Sequence, residues 1–159
     1  MKRICFICSG NVCRSITAEI LLRQMIIEQG LNDVSVFSMG TSNIGQQPCD
    51  GMMARIAMSY GYEMTGTSTF MSKDTLMEAD LILVMTYTHM MEVRNILPHY
   101  RWGTIRLFNE YCFGKDIPVN DPSFMPEPVY RQTFLWLQKG CRVIIDRLKT
   151  NSWDYDEYK

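Results

Sequence analysis

Cys8-Ser9-Gly10-Asn11-Val12-Cys13-Arg14-Ser15 is the stretch on which the reading of this chain turns. A cysteine and an arginine stand six positions apart with a glycine between them. The apolar run Ile4-Cys5-Phe6-Ile7 precedes them and reads as a strand; a helical run from Ile16 to Gln29 follows. A strand that turns sharply into a helix aims several backbone N–H groups at one point, at the positive end of the helix dipole. That arrangement binds an anion before any side chain is counted. Cys8 at its mouth is expected to be held as thiolate, beside a helix N-terminus and a cation. Arg14 offers a planar fork that matches two oxygens of a phosphate. A cradle for a tetrahedral oxyanion with a thiolate beneath it describes a nucleophile for phosphoryl transfer. The amides and side chains of Ser9, Gly10, Asn11, Val12, Cys13 and Ser15 would line the cradle. Asn11 tolerates the left-handed backbone that closes such a loop. Ser15 has two roles that can coexist, helix N-cap and hydroxyl donor to Cys8.

The residues around this core carry a resemblance. Cys8 to Ser15 near the N-terminus, Ala18-Glu19 after the loop, Ser38 to Thr41, Leu81 to Met85 and Asp121-Pro122 far downstream together resemble the low-molecular-weight protein tyrosine phosphatases over most of the chain. The resemblance implies metal-free hydrolysis of phosphotyrosine through a phosphocysteine, with Cys8, Arg14 and Asp121 as the catalytic residues and no cofactor. Asp-Pro alone is a common turn signal. An aryl phosphate, however, leaves as a phenolate, and a positioned carboxylic acid can protonate it. Asp121 is the candidate for that acid. The chain departs from the family pattern in places. Ile16 replaces a proline after the Arg-Ser pair, and Ser123-Phe124 replaces paired tyrosines. The aromatic rim position falls near Ser42, with Ile44 close by. The histidine that supports the loop asparagine falls near Gly66. At Val12 the tyrosine phosphatases usually carry an apolar β-branched residue, whereas the arginine phosphatases of similar fold carry threonine. Phe124 and Ile44 are candidates for an apolar wall around an aromatic ring.

The 159 residues predict one domain. An apolar fraction of 47% and a charged fraction of 21% are ordinary for a globular chain with a sizeable core. A net charge of −1 gives no reason to expect nucleic acid or an anionic membrane as partner. No apolar run approaches the ~20 residues of a membrane span. Met1-Lys2-Arg3 leads into a short strand and the loop, not a secretory signal. Six cysteines in that context read as reduced thiols in a cytoplasm. The resemblance implies a phosphotyrosine protein or peptide as partner, with the chain a monomer or weak dimer.

Strand-like runs fall at Arg3 to Cys8, Val34 to Ser38, Leu81 to Met85 and Thr104 to Phe108. Helical runs separate them. The first ends at Gly30; the next starts at the cap Asp50 and ends at Gly61. A short one follows Ser72, and another lies between Thr86 and Pro98. The last runs from about Pro126–Pro128 to Leu148, with Tyr130, Phe134, Leu137, Cys141, Ile145 and Leu148 at helical spacing. The alternation predicts an α/β fold: one three-layer domain over 1–150, with a mainly four-stranded parallel sheet and helices on both faces. Residues 151–159 are expected to fray. Ligands in such sheets bind beyond the carboxyl ends of strands, where Cys8 lies.

Cys5 and Cys8 form a Cys-x-x-Cys, but residues three apart on a strand point to opposite faces. With only two histidines in the chain, His89 and His99, no metal site is expected. His89 reads as structural or surface. Cys13 is near enough to Cys8 in sequence for reversible disulfide protection. Three alternatives stay open. One is the same chemistry on phosphoarginine. Another is arsenate reduction, which needs a relay of further cysteines; Met85 to Asn95 contains none. The third is a non-catalytic phosphate-binding module, which would need neither Cys8 nor Asp121.

Overall fold

Ile4, Phe6 and Cys8 of the first strand belong to one hydrophobic core, and Cys5 and Ile7 to another. This alternation is the two-residue period of a strand buried on both faces, and it makes the domain three layers deep. The computed structural model describes residues 1–154. Strand β1 spans Lys2–Cys8, β2 Val34–Gly40, β3 Leu81–Val84 and β4 Ile105–Leu107. All three pairings are parallel, in the order β2-β1-β3-β4. The chain steps from β1 to one side for β2 and to the other side for β3. The crevice beyond the carboxyl ends of β1 and β3 is thus the switch point where ligands bind in open parallel sheets.

Helix α1 (Arg14–Glu28), α2 (Gly51–Ser59), α5 (Phe108–Phe113) and α6 (Glu127–Lys149) contribute to the core on the Phe6 side. Helices α3 (Lys73–Met77) and α4 (Tyr87–Ile96) cover the Ile7 side. The cap read at Asp50 holds, accepting from the Met53 N–H; Ser72 and Thr86, after which helices are expected, cap them by accepting from Thr75 and His89. All six apolar positions read on α6 are buried. Phe134 among them stacks on Tyr60, ring centroids 5.0 Å apart; burying such a ring contributes roughly 1.5–3 kcal/mol.

Three expectations are corrected. The strand read over Thr104 to Phe108 is only Ile105–Leu107, because a 3₁₀ turn (His99–Thr104) precedes it and α5 begins at Phe108. Phe108 points into the core against Gly140 of α6, where a methyl group would lie 2.3 Å from its ring. A fully buried apolar residue after a strand carries no local mark of a helix start. Ser15 is not the N-cap of α1. Cys13 holds that position without a side-chain bond, and Ser15 lies inside the helix, fully buried. The tail expected to fray is docked at its start. The Tyr111 hydroxyl donates to the Trp153 carbonyl, and Trp153 packs on the core. The remainder of that tail, residues 155–159, lies outside the described residues. Among the described residues, no helix is long and apolar enough to cross a membrane.

Candidate active site

Beyond β1 the chain passes directly over β2, and Gly40 is what lets it. A Cβ there would lie 2.7 Å from the Ser9 carbonyl oxygen and 3.1 Å from the Asn11 nitrogen. The loop is stitched down from outside. Thr41 N–H donates to the Cys8 carbonyl at 3.0 Å, Ser42 N–H to the Ser9 carbonyl at 2.9 Å and Asp50 N–H to the Val12 carbonyl at 2.8 Å. Asn11 takes the left-handed backbone expected of it, φ 58°. That turn brings its own N–H back to the Cys8 sulfur at 3.3 Å. Because Cys13 offers no side-chain cap, the first-turn N–H groups of α1 remain available to a ligand.

Cys8 is 3% exposed at the bottom of this loop. Its Sγ lies 2.9 Å from Ser15 Oγ, and the surrounding bonds settle which atom donates. Thr69 N–H donates to Asn11 Oδ1 at 2.9 Å, which fixes the amide orientation. Asn11 Nδ2 then donates to Ser15 Oγ at 2.7 Å and to Ser38 Oγ at 2.9 Å. Ser15 Oγ accepts from Asn11, and its own proton has no acceptor but the Cys8 sulfur among the described residues. Ser38 passes its proton to Glu19 Oε1 at 2.8 Å, and Glu19 pairs with Arg23 at 2.8 Å. The support for Asn11 that Gly66 cannot give comes from the Thr69 backbone and Ser38.

Arg14 is 4% exposed. Its Nη1 donates to the Val119 carbonyl at 2.8 Å, and its Nη2 lies 3.9 Å from Asp121 Oδ2. Asp121, 113 positions from Cys8 in sequence, thus sits beside Arg14 at the loop. Burial pushes its carboxyl up, but two hydrogen bonds from Ser123 (N–H at 3.0 Å, Oγ at 2.7 Å) and the charge of Arg14 outweigh that. The net displacement is downward.

His89, read from sequence as structural or surface, is buried at the site. Its Nε2 lies 2.8 Å from Ser9 Oγ. Thr86 N–H donates to its Nδ1 at 3.2 Å. Burial and then the Arg14 charge lower its pKa to about 4. Nothing local marks His89, since its partner Ser9 is 80 residues away; its place at the third position of α4 gives only the capping box. Ser9, Arg14, Thr86, Thr88, His89 and Asp121 line a shared groove of about 520 Å³.

Other candidate residues are placed as follows. Val12 is half-buried, and its Cγ2 converges with Ile44 Cδ1 above Gly10. Cys13 is buried, and burial, with Asp50 and Cys8 nearby, raises its pKa. Cys5 lies in the opposite core. Phe124 does not line the pocket: it is fully exposed, with a left-handed backbone of φ 65°. The turn that lets Ser123 cap the Asp121 carboxylate carries the next side chain out into solvent.

This architecture has known counterparts. The family model described as low molecular weight phosphotyrosine protein phosphatase matches residues 3–153. The low molecular weight protein-tyrosine-phosphatase PtpB of Staphylococcus haemolyticus is 31% identical over 151 residues, 94% of this chain and 99% of that one. A crystal structure of a low molecular weight phosphotyrosine phosphatase from Vibrio cholerae superposes with a TM-score of 0.89 at 26% identity, over 95% of this chain and 99% of that one. A mutant of the YwlE arginine phosphatase with a phosphorylated active site serine superposes at 0.86 with 27% identity, over 94% and 97% of the two chains. The matched span, from the first strand to the docked Trp153, takes in the whole loop and the Asp121 segment, and the chain belongs to the low molecular weight phosphotyrosine protein phosphatase family and is a phosphatase of that family.

Proposed function

We propose that this chain is a metal-independent protein phosphotyrosine phosphatase that works through a phosphocysteine intermediate. The observation that carries the proposal is the pair of donors on the Cys8 sulfur, Asn11 N–H at 3.3 Å and the Ser15 hydroxyl at 2.9 Å, beneath a loop flanked by Arg14. Donors to sulfur favour the thiolate as nucleophile and later as leaving group. The sulfur attacks phosphorus from below. Arg14 and the N–H groups of the loop hold the equatorial oxygens as charge spreads over them in the transition state. Asp121 gives a proton to the phenolate oxygen, then takes one from the water that attacks the phosphocysteine. Phosphate leaves and the thiolate is restored.

The test is hydrolysis of an aryl phosphate in excess chelator. Full activity with chelator, loss in Cys8→Ser and a trapped phosphocysteine on rapid acid quench are expected. Turnover by Cys8→Ser within tenfold of the parent would refute the assignment.

A second reading keeps the mechanism and exchanges phosphotyrosine for phosphoarginine. What favours it are the polar residues Ser9, Thr86, Thr88 and Asp121 of the groove wall, while Phe124 points away, although Tyr87 and Pro118 line the same groove. Against it stand the apolar side chains of Val12 and Ile44, which both reach the space above Gly10. Arsenate reduction has less support, because it needs a relay of thiols, and Cys5, Cys112 and Cys141 are buried in the two cores, leaving only Cys13 and the half-buried Cys49 besides Cys8.

A further inference from the structure

The proton on His89 can be placed. Thr86 N–H donates to Nδ1, so Nδ1 is the acceptor of the ring. A ring lowered to about 4 is neutral at physiological pH and carries its one hydrogen on Nε2. The 2.8 Å contact is therefore Nε2–H donating to Ser9 Oγ. That assignment fixes the serine in turn. Its oxygen accepts from His89, and its own hydrogen has no acceptor among the described residues. Ser9 is exposed, next to Cys8 in sequence, and opens into the groove that Arg14 and Asp121 also line. The imidazole is buried, so this polarity does not reverse by reorientation in solvent.

We infer that His89 is a positioning residue that locks the Ser9 hydroxyl as a hydrogen-bond donor to an oxygen of the phosphoryl group bound between Arg14 and Asp121. This rests on the phosphatase reading for its substrate, but not on turnover for its test. An anion in the loop meets backbone N–H groups, a guanidinium and, on this account, the Ser9 hydroxyl, oriented by His89 from the β3 side of the crevice. A serine free to rotate spends part of its time with a lone pair facing the anion; the Nε2–H bond removes that orientation.

The test separates this from a merely structural role, because His89 also caps α4 by accepting from Thr86. Binding of inorganic phosphate by calorimetry and kcat/KM for an aryl phosphate are measured for the parent, Ser9→Ala, His89→Ala, His89→Gln and the double variant Ser9→Ala/His89→Ala. Ser9→Ala and His89→Ala are each expected to weaken phosphate binding roughly fivefold, the size of one hydrogen bond. The double variant should be no weaker than Ser9→Ala alone. His89→Gln, whose amide can both accept from Thr86 and donate to Ser9, should restore binding to within about twofold. The melting temperature, which reads the cap, should fall equally for His89→Ala in both backgrounds. Phosphate affinity unchanged in Ser9→Ala overturns the inference, and so does an undiminished effect of His89→Ala when Ser9 is absent. If His89→Ala does not fold, a Ser9→Ala variant with parental affinity is still decisive. A parent that binds phosphate but does not hydrolyse the ester would refute the phosphatase reading and leave the calorimetric comparison intact.

Discussion

Arg14 donates a hydrogen bond to the carbonyl of Val119 at 2.8 Å, across 105 residues of chain. Val119 in turn donates its N–H to the carbonyl of Met85, the residue just past β3. The segment that places Asp121 is therefore tied to the sheet, and it also orients the guanidinium. Arg14→Lys should fail on both counts, because one ammonium cannot reach Val119 and also present a planar fork to phosphate. The expected loss is about 10²–10³-fold in kcat/KM, the scale of losing a donor to the developing charge. Inhibition by inorganic phosphate should weaken in parallel. Kinetics within tenfold of the parent would mean that Arg14 does not bind the phosphoryl group.

Asp121 as general acid is tested through Ser123. Both Ser123 bonds to Oδ1 favour the carboxylate, and with Arg14 they hold its pKa below the ordinary value. An acid must keep its proton, so activity should fall as pH rises through the pKa of this carboxyl. Ser123→Ala removes the 2.7 Å bond from Oγ. The carboxyl should then hold its proton to higher pH, and the descending limb of kcat/KM against pH should move upward. Asp121→Asn should lose the limb and about 10²–10⁴ in rate with a poor leaving group. The loss should be smaller where the leaving group needs no proton. A Ser123→Ala profile that superposes on the parent's would rule out Asp121 as the source of that limb.

His89 gives the fold a dependence on acid. Its folded pKa of about 4 lies below the ordinary 6.5. Between those values the unfolded chain binds a proton that the native ring refuses, so its contribution to stability is complete above pH 6.5 and is lost as pH falls toward 4. Urea unfolding followed from pH 7 to pH 4 should show stability dropping in the parent. The drop should be shallower in His89→Gln, which cannot titrate. Equal slopes in the two proteins would show that His89 does not carry this dependence.

What was legible from sequence was local. The Cys8 to Ser15 loop, the parallel strands, the capped start of α2 and the starts of α3 and α4 are all written within a few residues of where they act. The left-handed Asn11 belongs with them, as the residue type alone anticipates it. What was not legible depends on residues distant in the chain. The support of Asn11 by Thr69 and Ser38 spans 58 and 27 residues. Ser15 has the residue type of an N-cap, but Asn11 and Cys8 claim its hydroxyl, and the helix begins one residue earlier without a cap. Phe124 has the residue type of a pocket wall, but the Asp121–Ser123 turn sets its direction. In each case a tertiary contact or turn overrode a correct estimate of what the side chain favours.

Cys13 bears on oxidation. It is buried and its pKa is raised, which leaves it a thiol, with Cys8 near enough to contribute to that rise. Peroxide should convert Cys8 to the sulfenic acid, reducing peroxide to water. Attack by the Cys13 sulfur should then form the disulfide and release a second water. Peptide mapping should find the Cys8–Cys13 bridge, and dithiothreitol should restore activity. In Cys13→Ser the sulfenic acid has no resolving thiol and should proceed to forms that reductant does not recover. Equal recovery of the two proteins would count against the bridge.

Substrate choice is expected to turn on Val12. Its carbonyl accepts from the Asp50 N–H while the Asp50 carboxylate caps α2, so the backbone that carries the side chain is tied to that helix start. Its Cγ2 and Ile44 Cδ1 approach the same point above Gly10, at 3.6 and 3.4 Å from where a Cβ would stand, and make one rim apolar. An aromatic ring can pack on that rim and lose nothing. The N–H groups of phosphoarginine would find no acceptor there, and a buried donor without a partner costs about 1–3 kcal/mol. That predicts a higher kcat/KM for phosphotyrosine than for phosphoarginine peptides, by roughly 10- to 100-fold if one such donor is stranded. Val12→Thr keeps the β-branch and adds an oxygen, so it should narrow or reverse the ratio while hydrolysis of a small aryl phosphate changes little. A parent enzyme that prefers phosphoarginine would overturn this specificity. It would point instead to the polar wall of Ser9, Thr86, Thr88 and Asp121 as the surface that reads the substrate, with the proposed roles of Cys8, Arg14 and Asp121 unaffected.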